Sequence, residues 1–233
     1  AIWDCWQNGT DLDFSGEHYQ LSLMVPLFNP GPIDHPDIPI HLAAVNKVMC
    51  RVAGEVADGI RPHPVCTPSY IAEVMVPNVR EGARRAGRRL DNFEIAMKPL
   101  TASAATQAEL EPKIRDARAR IAFYASTPSY RAAFDHLGLG QLADECKVLS
   151  RAQRWEELPK KISDDVLEQF AVIGTYDKIG DRLCARFGDV VTNIEFSIAA
   201  STEAEQSRLA SLARQVQAHD DQAVRALLAG IAS

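Results

Sequence analysis

The sequence has no apolar run approaching the roughly 20 residues that a bilayer-spanning helix needs, so no such helix is expected. Cysteine is scarce: the five residues at 5, 50, 66, 146 and 184 are an odd number without CxxC spacing. In a chain too long to need staples this argues against a disulfide framework, and a reducing cytoplasm is the expected location. Positive charge is in deficit, with 25 Lys and Arg against 31 Asp and Glu and a net charge of -6. Nucleic acid or an anionic membrane would select a basic face, so neither is an expected partner. No solenoid-type repeat or low-complexity tract is visible. A small-molecule partner fits what is left.

What is present is an ordinary globular composition, 46% hydrophobic and 24% charged over 233 residues, enough for a substantial core. The first residue is Ala, and IWDCWQNGT reads as a helix end running into a loop. The expectation is a piece of a longer chain whose beginning is missing. Four short apolar runs read as strands: Pro39 to Val45, Gly59 to Pro64, Phe93 to Ala102 and Val190 to Ala199. Helical periodicity separates them, the pattern of parallel βα units. Val48, Met49, Val52, Ala53, Val56 and Ala57 form one such stripe.

Further helices are expected from Thr67, through a kink at Pro77, to Gly87; from Thr106 to Tyr124; from a Thr175 cap through Ile179 and Leu183; and from Thr202, with Glu205 completing a capping box. Residues 1–38 read as a loop and extended excursion, and 126–173 as a helical insertion broken by Pro128, Gly138, Gly140 and Pro159. Arg84, Arg85, Arg88 and Arg89 complement a helix C-terminus; a phosphate patch is the competing reading.

The segments DFSGEHYQL, FNPGP, IPIHLAAVNKVMCRVAGEVADG, IAFYASTPSY and VLEQFAVIGTYDKIGDRL, in that order, resemble the luciferase-like monooxygenase superfamily. HPVCTPSY and IAFYASTPSY most resemble its deazaflavin branch, which uses coenzyme F-420 in place of FMN. The resemblance implies an α/β fold, a (β/α)8 TIM barrel of the luciferase-like type. Residues 1–233 would be the C-terminal portion of that single domain, about four βα units plus an insertion. It implies an oxidoreductase moving a hydride between coenzyme F-420 and a small organic substrate, homo-oligomeric when full length, with this segment alone inactive. An FMN-dependent monooxygenase using molecular oxygen, a non-catalytic flavin-binding barrel and an unrelated phosphate-binding barrel enzyme with a Schiff-base lysine are the alternatives.

At the end of the first strand the chain turns through Ala43, Ala44, Val45, Asn46 and Lys47 into a helix whose first N–H groups are unpaired, a place suited to a cofactor phosphate. The resemblance puts a phosphate contact there, often beside a glycine that this chain lacks near Asn46. The same residues also read as an ordinary capped helix. His63, at the end of the next strand, is a candidate for catalysis and for substrate contact. It could also be held structurally between two prolines, and with Cys66 it makes only a lone HxxC, so no metal site is expected. Asp58 and Gly59 read as the tight turn at the opposite end. Glu195 alternates with Asn193 and Ser197 on one of two sides, one of which faces inward; a buried Glu195 would be either a shifted acid or the partner of a helix arginine. His18, Tyr19, Asp34 and His35 are candidates for substrate contact.

Overall fold

The computed structural model describes residues 1–196, 198 and 200–230. The chain divides into two compact units, Ala1–Pro39 and Ile40–Ser233. In the first, helix α1 (Ile2–Asn8) is closed by Gly9 in the left-handed conformation, φ 67°, which glycine adopts without a Cβ clash. Strands β1 (Phe14–Ser15) and β2 (Gln20–Leu21) form an antiparallel ribbon where the sequence predicts an extended piece. Trp6 Nε1 donates to Phe28 O at 2.9 Å, and the Gln7 amide both donates to and accepts from Ile33 backbone at 3.0 Å. These bonds tie the proline-dense segment to α1.

The second unit is α/β. Its strands are β3 (His41–Ala44), β4 (Gly59–Pro62), β5 (Glu94–Met97), β6 (Leu100–Ala104), β7 (Ala171–Thr175) and β8 (Asn193–Ile194). Strands β3, β4, β5 and β8 make a four-stranded parallel sheet in that order, and β6 pairs with β7, also parallel. Helix α2 (Lys47–Val56) crosses from β3 to β4. Helix α3 (Pro68–Tyr70) runs through a π turn (Ile71–Met75) into α4 (Val76–Arg85). The wider turn lies just ahead of Pro77, which has no N–H to give the helical ladder, so the kink predicted there takes the form of a π turn.

After β6 come α5 (Gln107–Ala125), α6 (Arg131–His136), α7 (Gly140–Arg151), α8 (Asp164–Phe170), α9 (Ile179–Phe187), α10 (Glu203–Gln217) and α11 (Gln222–Ala229). Thr67 and Thr202 cap their helices as expected, Glu205 completes the box, and Thr106 also caps α5.

Alternation gives the sheet two unlike faces. Ala44, Ile60, Ile95 and Met97 are buried in one core with Cys50 and Ala53 of α2 and Met75, Val76 and Val79. The other face carries His41 and Ala43, Gly59 and Arg61, Glu94 and Ala96, with Lys98 and Glu195 beyond the strand ends. At its lower end Asp58 makes the predicted turn, its Oδ2 accepting from Ile40 N–H at 2.8 Å. Gly59 is required there: a Cβ would lie 2.6 Å from Glu94 O and 2.8 Å from the His41 ring.

Four expectations are corrected. The run Phe93 to Ala102 is two strands, β5 and β6, because Pro99 cannot donate to a ladder and biases Lys98 before it, so the chain changes partner at that point. The helical insertion of 126–173 ends earlier than expected, since Ala171 already begins β7, whose partner β6 is remote in sequence. Thr175 therefore closes a strand, and α9 starts at Ile179 after an N-cap at Lys178. The run Val190 to Ala199 pairs as a strand only at Asn193–Ile194; Ser197 and Ala199 lie outside the described residues.

Candidate functional site

The C-terminal ends of β3 and β4 open onto a cavity of about 400 Å³ lined by Ala43, Ala44, Val45, Asn46 and His63, with Met49, Arg61, Pro62, Pro64, Ser129 and Tyr130. Of the candidate cofactor loop and His63, every residue except Lys47 is in this lining; Glu195, His18, Tyr19, Asp34 and His35 are not. Lys47 is exposed, one residue into α2 and away from the wall. The position follows from strand direction: parallel strands with crossover helices place their outgoing loops at one end, and those loops build the site.

Asn46 occupies the N-cap position of α2 in an extended conformation but makes no side-chain cap; its Nδ2 instead donates to Ser129 O at 2.9 Å. The bond joins the loop after β3 to the segment after α5. The first helical bond to the turn is Cys50 N–H to Asn46 O at 3.1 Å, which leaves the N–H groups of Lys47, Val48 and Met49 without intrahelical acceptors. Ala43 and Ala44 keep the strand end free of bulk. The Asn46 amide therefore does not cap α2. Tyr70 supports the loop from below, its hydroxyl donating to Val45 O at 3.2 Å.

His63 stacks on Tyr130 with ring centroids 4.1 Å apart and planes at 20°, and meets Tyr124 edge to face at 4.6 Å. Its Nδ1 accepts from Val65 N–H at 3.3 Å. Burial pushes its pKa down from 6.5 to about 4, so near pH 7 the ring is neutral and its proton sits on Nε2. Cys66 is fully buried. Its N–H donates to His63 O at 2.8 Å, and burial raises the thiol pKa to about 12, which makes it an inert core residue.

Arg61, two residues before His63 and on the same face, pairs with Glu195, and Lys98 Nζ lies 3.4 Å from the same carboxylate. The hydrogen bond from Arg61 holds the Glu195 carboxyl below its usual range. The shifted-acid reading of Glu195 is therefore corrected, and its partners are strand residues rather than a helix arginine. The pair also places a carboxylate beside the amine of Lys98, where Schiff-base chemistry calls for an apolar pocket.

The arginines at the end of α4 and just beyond it are structural. Arg84 and Arg85 bond Glu81, Arg89 bonds Asp91, and Arg88 donates to Gly54 O at 3.0 Å and Ala57 O at 2.8 Å, covering the C-terminus of α2. His18, Tyr19, Asp34 and His35 are exposed residues of the first unit.

Sequence reasoning missed Arg61, Met49, Ser129, Tyr130 and Tyr124. Arg61 was legible in principle, since a side chain two positions before His63 shares its face. The aromatic pair sits in the IAFYASTPSY segment, whose contact with β4 no local pattern reveals.

Comparison with known proteins bears on the family and the fold. An uncharacterized protein of Mycobacterium tuberculosis is 39% identical over 215 residues, covering 92% of this chain and 63% of that protein. An F-420-dependent glucose-6-phosphate dehydrogenase of Nakamurella multipartita is 28% identical over 181 residues, 78% of this chain and 50% of that enzyme. Among solved structures, the coenzyme F-420-dependent tetrahydromethanopterin reductase of Methanopyrus kandleri superposes with a TM-score of 0.69 at 18% identity, over 94% of this chain and 61% of that one. That likeness shows the fold: the open parallel sheet and its helices match part of a luciferase-like TIM barrel. The chain spans about 63% of the length of the mycobacterial relative. The luciferase-like monooxygenase family model matches residues 1–193, and the chain belongs to that family.

Proposed function

We propose that the protein is an oxidoreductase that moves a hydride between coenzyme F-420 and a small organic substrate, with a cofactor phosphate seated at Ala43, Ala44, Val45 and Asn46. The observation that carries this reading is the open N-terminus of α2 at the cavity. Asn46 gives its amide to Ser129 O and leaves the first N–H groups of the helix free to receive an anion. The residues fit such a group: two alanines let it approach the backbone, and the helix dipole is positive there. Lys47, exposed at the same helix start, adds to the local positive potential without lining the wall.

When bound, the deazaflavin supplies the hydride-carrying ring. The chain supplies the rest: an anion seat, a wall made by His63, Tyr124 and Tyr130, and a neutral imidazole donor directed from that wall. Relatives and structural neighbours named as F-420-dependent enzymes support the choice of cofactor.

Titration with coenzyme F-420 and separately with FMN, followed by cofactor fluorescence, tests the reading. Saturation by F-420 is expected, and Asn46→Asp weakens it about tenfold by placing a carboxylate against the phosphate. Binding of FMN alone assigns the chain to the flavin branch instead, and binding of neither removes both assignments.

A further inference from the structure

Arg61 of β4 and His63, the first residue beyond the end of that strand, both line the cavity. The polar side chains of its wall are Asn46, Arg61, His63, Ser129 and Tyr130; no carboxylate is among the lining residues. Arg61 can only donate. His63 accepts from Val65 N–H at Nδ1, so its Nε2 presents a proton, and among the described residues nothing pairs with that nitrogen. Arg61 and Lys98 together face the single carboxylate of Glu195, which leaves the cluster with excess positive charge. Ala43 is in register with Arg61 on β3 and leaves the guanidinium uncovered on that side; 46% of the Arg61 side chain is accessible. A wall with an imidazole donor and a guanidinium, beside a cluster of net positive charge and with no carboxylate in the lining, selects a ligand rich in electrons.

We propose that Arg61 and His63 together seat an oxyanion of the substrate, a carboxylate or phosphate group, so that this site takes acidic organic substrates. The inference rests on the oxidoreductase reading of the same cavity. The guanidinium supplies charge and two parallel donors, and the fixed Nε2–H supplies one directional bond. An anionic group of the cofactor has the same chemistry, so the test has two arms.

In one arm, inorganic phosphate and glutarate are titrated calorimetrically into the protein, alone and saturated with coenzyme F-420. In the other, F-420 binding itself is followed by fluorescence. Arg61→Met is expected to weaken the small anions about tenfold, the loss of one charge-assisted contact, while F-420 affinity stays unchanged. Glu195→Gln is expected to strengthen them, because it releases Arg61 from its competing carboxylate, an effect that misfolding cannot imitate. The proposal is overturned if the wild-type protein binds neither anion, if both substitutions leave anion affinity unaltered, or if Arg61→Met weakens F-420 alone. Failure of the wild-type protein to bind F-420 while it still binds the anions overturns the cofactor reading on which the proposal stands.

Discussion

His63 is neutral because burial and two tyrosine rings leave the imidazolium poorly solvated. Its pKa is about 4 in the folded protein against an ordinary 6.5. As pH falls through that window the unfolded chain takes up a proton that the folded chain refuses, so the stability present above pH 6.5 declines toward pH 4. Thermal melts across this range should show the wild-type protein losing ground relative to His63→Gln, which does not titrate; parallel curves would place the imidazole in water. Above pH 6.5 the ring stays a donor of fixed tautomer, so ligand binding should show no histidine-like inflection between pH 6 and 8 that His63→Gln removes. The position of His63 was legible as the end of a strand. Its neutrality was not, because the tyrosines that desolvate it come from a distant segment.

At the scale of elements, α2 and α4 cross at glycines. A Cβ on Gly54 would lie 2.0 Å from Val79 O, and one on Gly82 would lie 1.9 Å from Arg51 O, so the two backbones touch directly. Gly54→Ala should therefore force the helices apart at a cost of about 1–3 kcal/mol. In a chain of this size that lowers the melting temperature by roughly 2–4 °C per kcal/mol, which calorimetry would measure. An unchanged melting temperature would mean that the crossing is looser than these distances.

The Thr202 capping box ranks lower. Thr202→Ala should cost about 1 kcal/mol or less, since the helix start is exposed. Caps of this kind are readable from sequence because donor and acceptor lie three residues apart. The glycine crossing is not, since each glycine looks like an ordinary weak point in its own helix.

In the second unit, among the described residues, the parallel sheet ends on β3 and β8, and its polar face carries Arg61, Lys98 and Glu195 at roughly half exposure. Val48, Met49 and Val56 also stand exposed along α2. Outer strands with unused ladder groups beside exposed apolar side chains favour association. Sedimentation velocity on the 233-residue chain should show concentration-dependent assembly. A monomer with one sharp melting transition would contradict that expectation. The edge of β7 is managed differently, by arginine: Arg182 and Arg186 of α9 donate to Ile173 O and Ala171 O, covering carbonyls that a further strand would otherwise seek.

The sequence by itself determined the alternation of strands with crossover helices, the threonine caps, the Asp58–Gly59 turn and the loop from Ala43 to Asn46. Each depends on periodicity or on partners a few residues apart, which the chain carries locally. Tertiary structure decided that the run from Phe93 to Ala102 divides between two sheets, that β6 takes β7 as its partner, and that Arg61, Ser129 and Tyr130 join His63 around one cavity. Those outcomes depend on which remote segments can pack together and satisfy each other's backbone groups, and no local pattern encodes that choice.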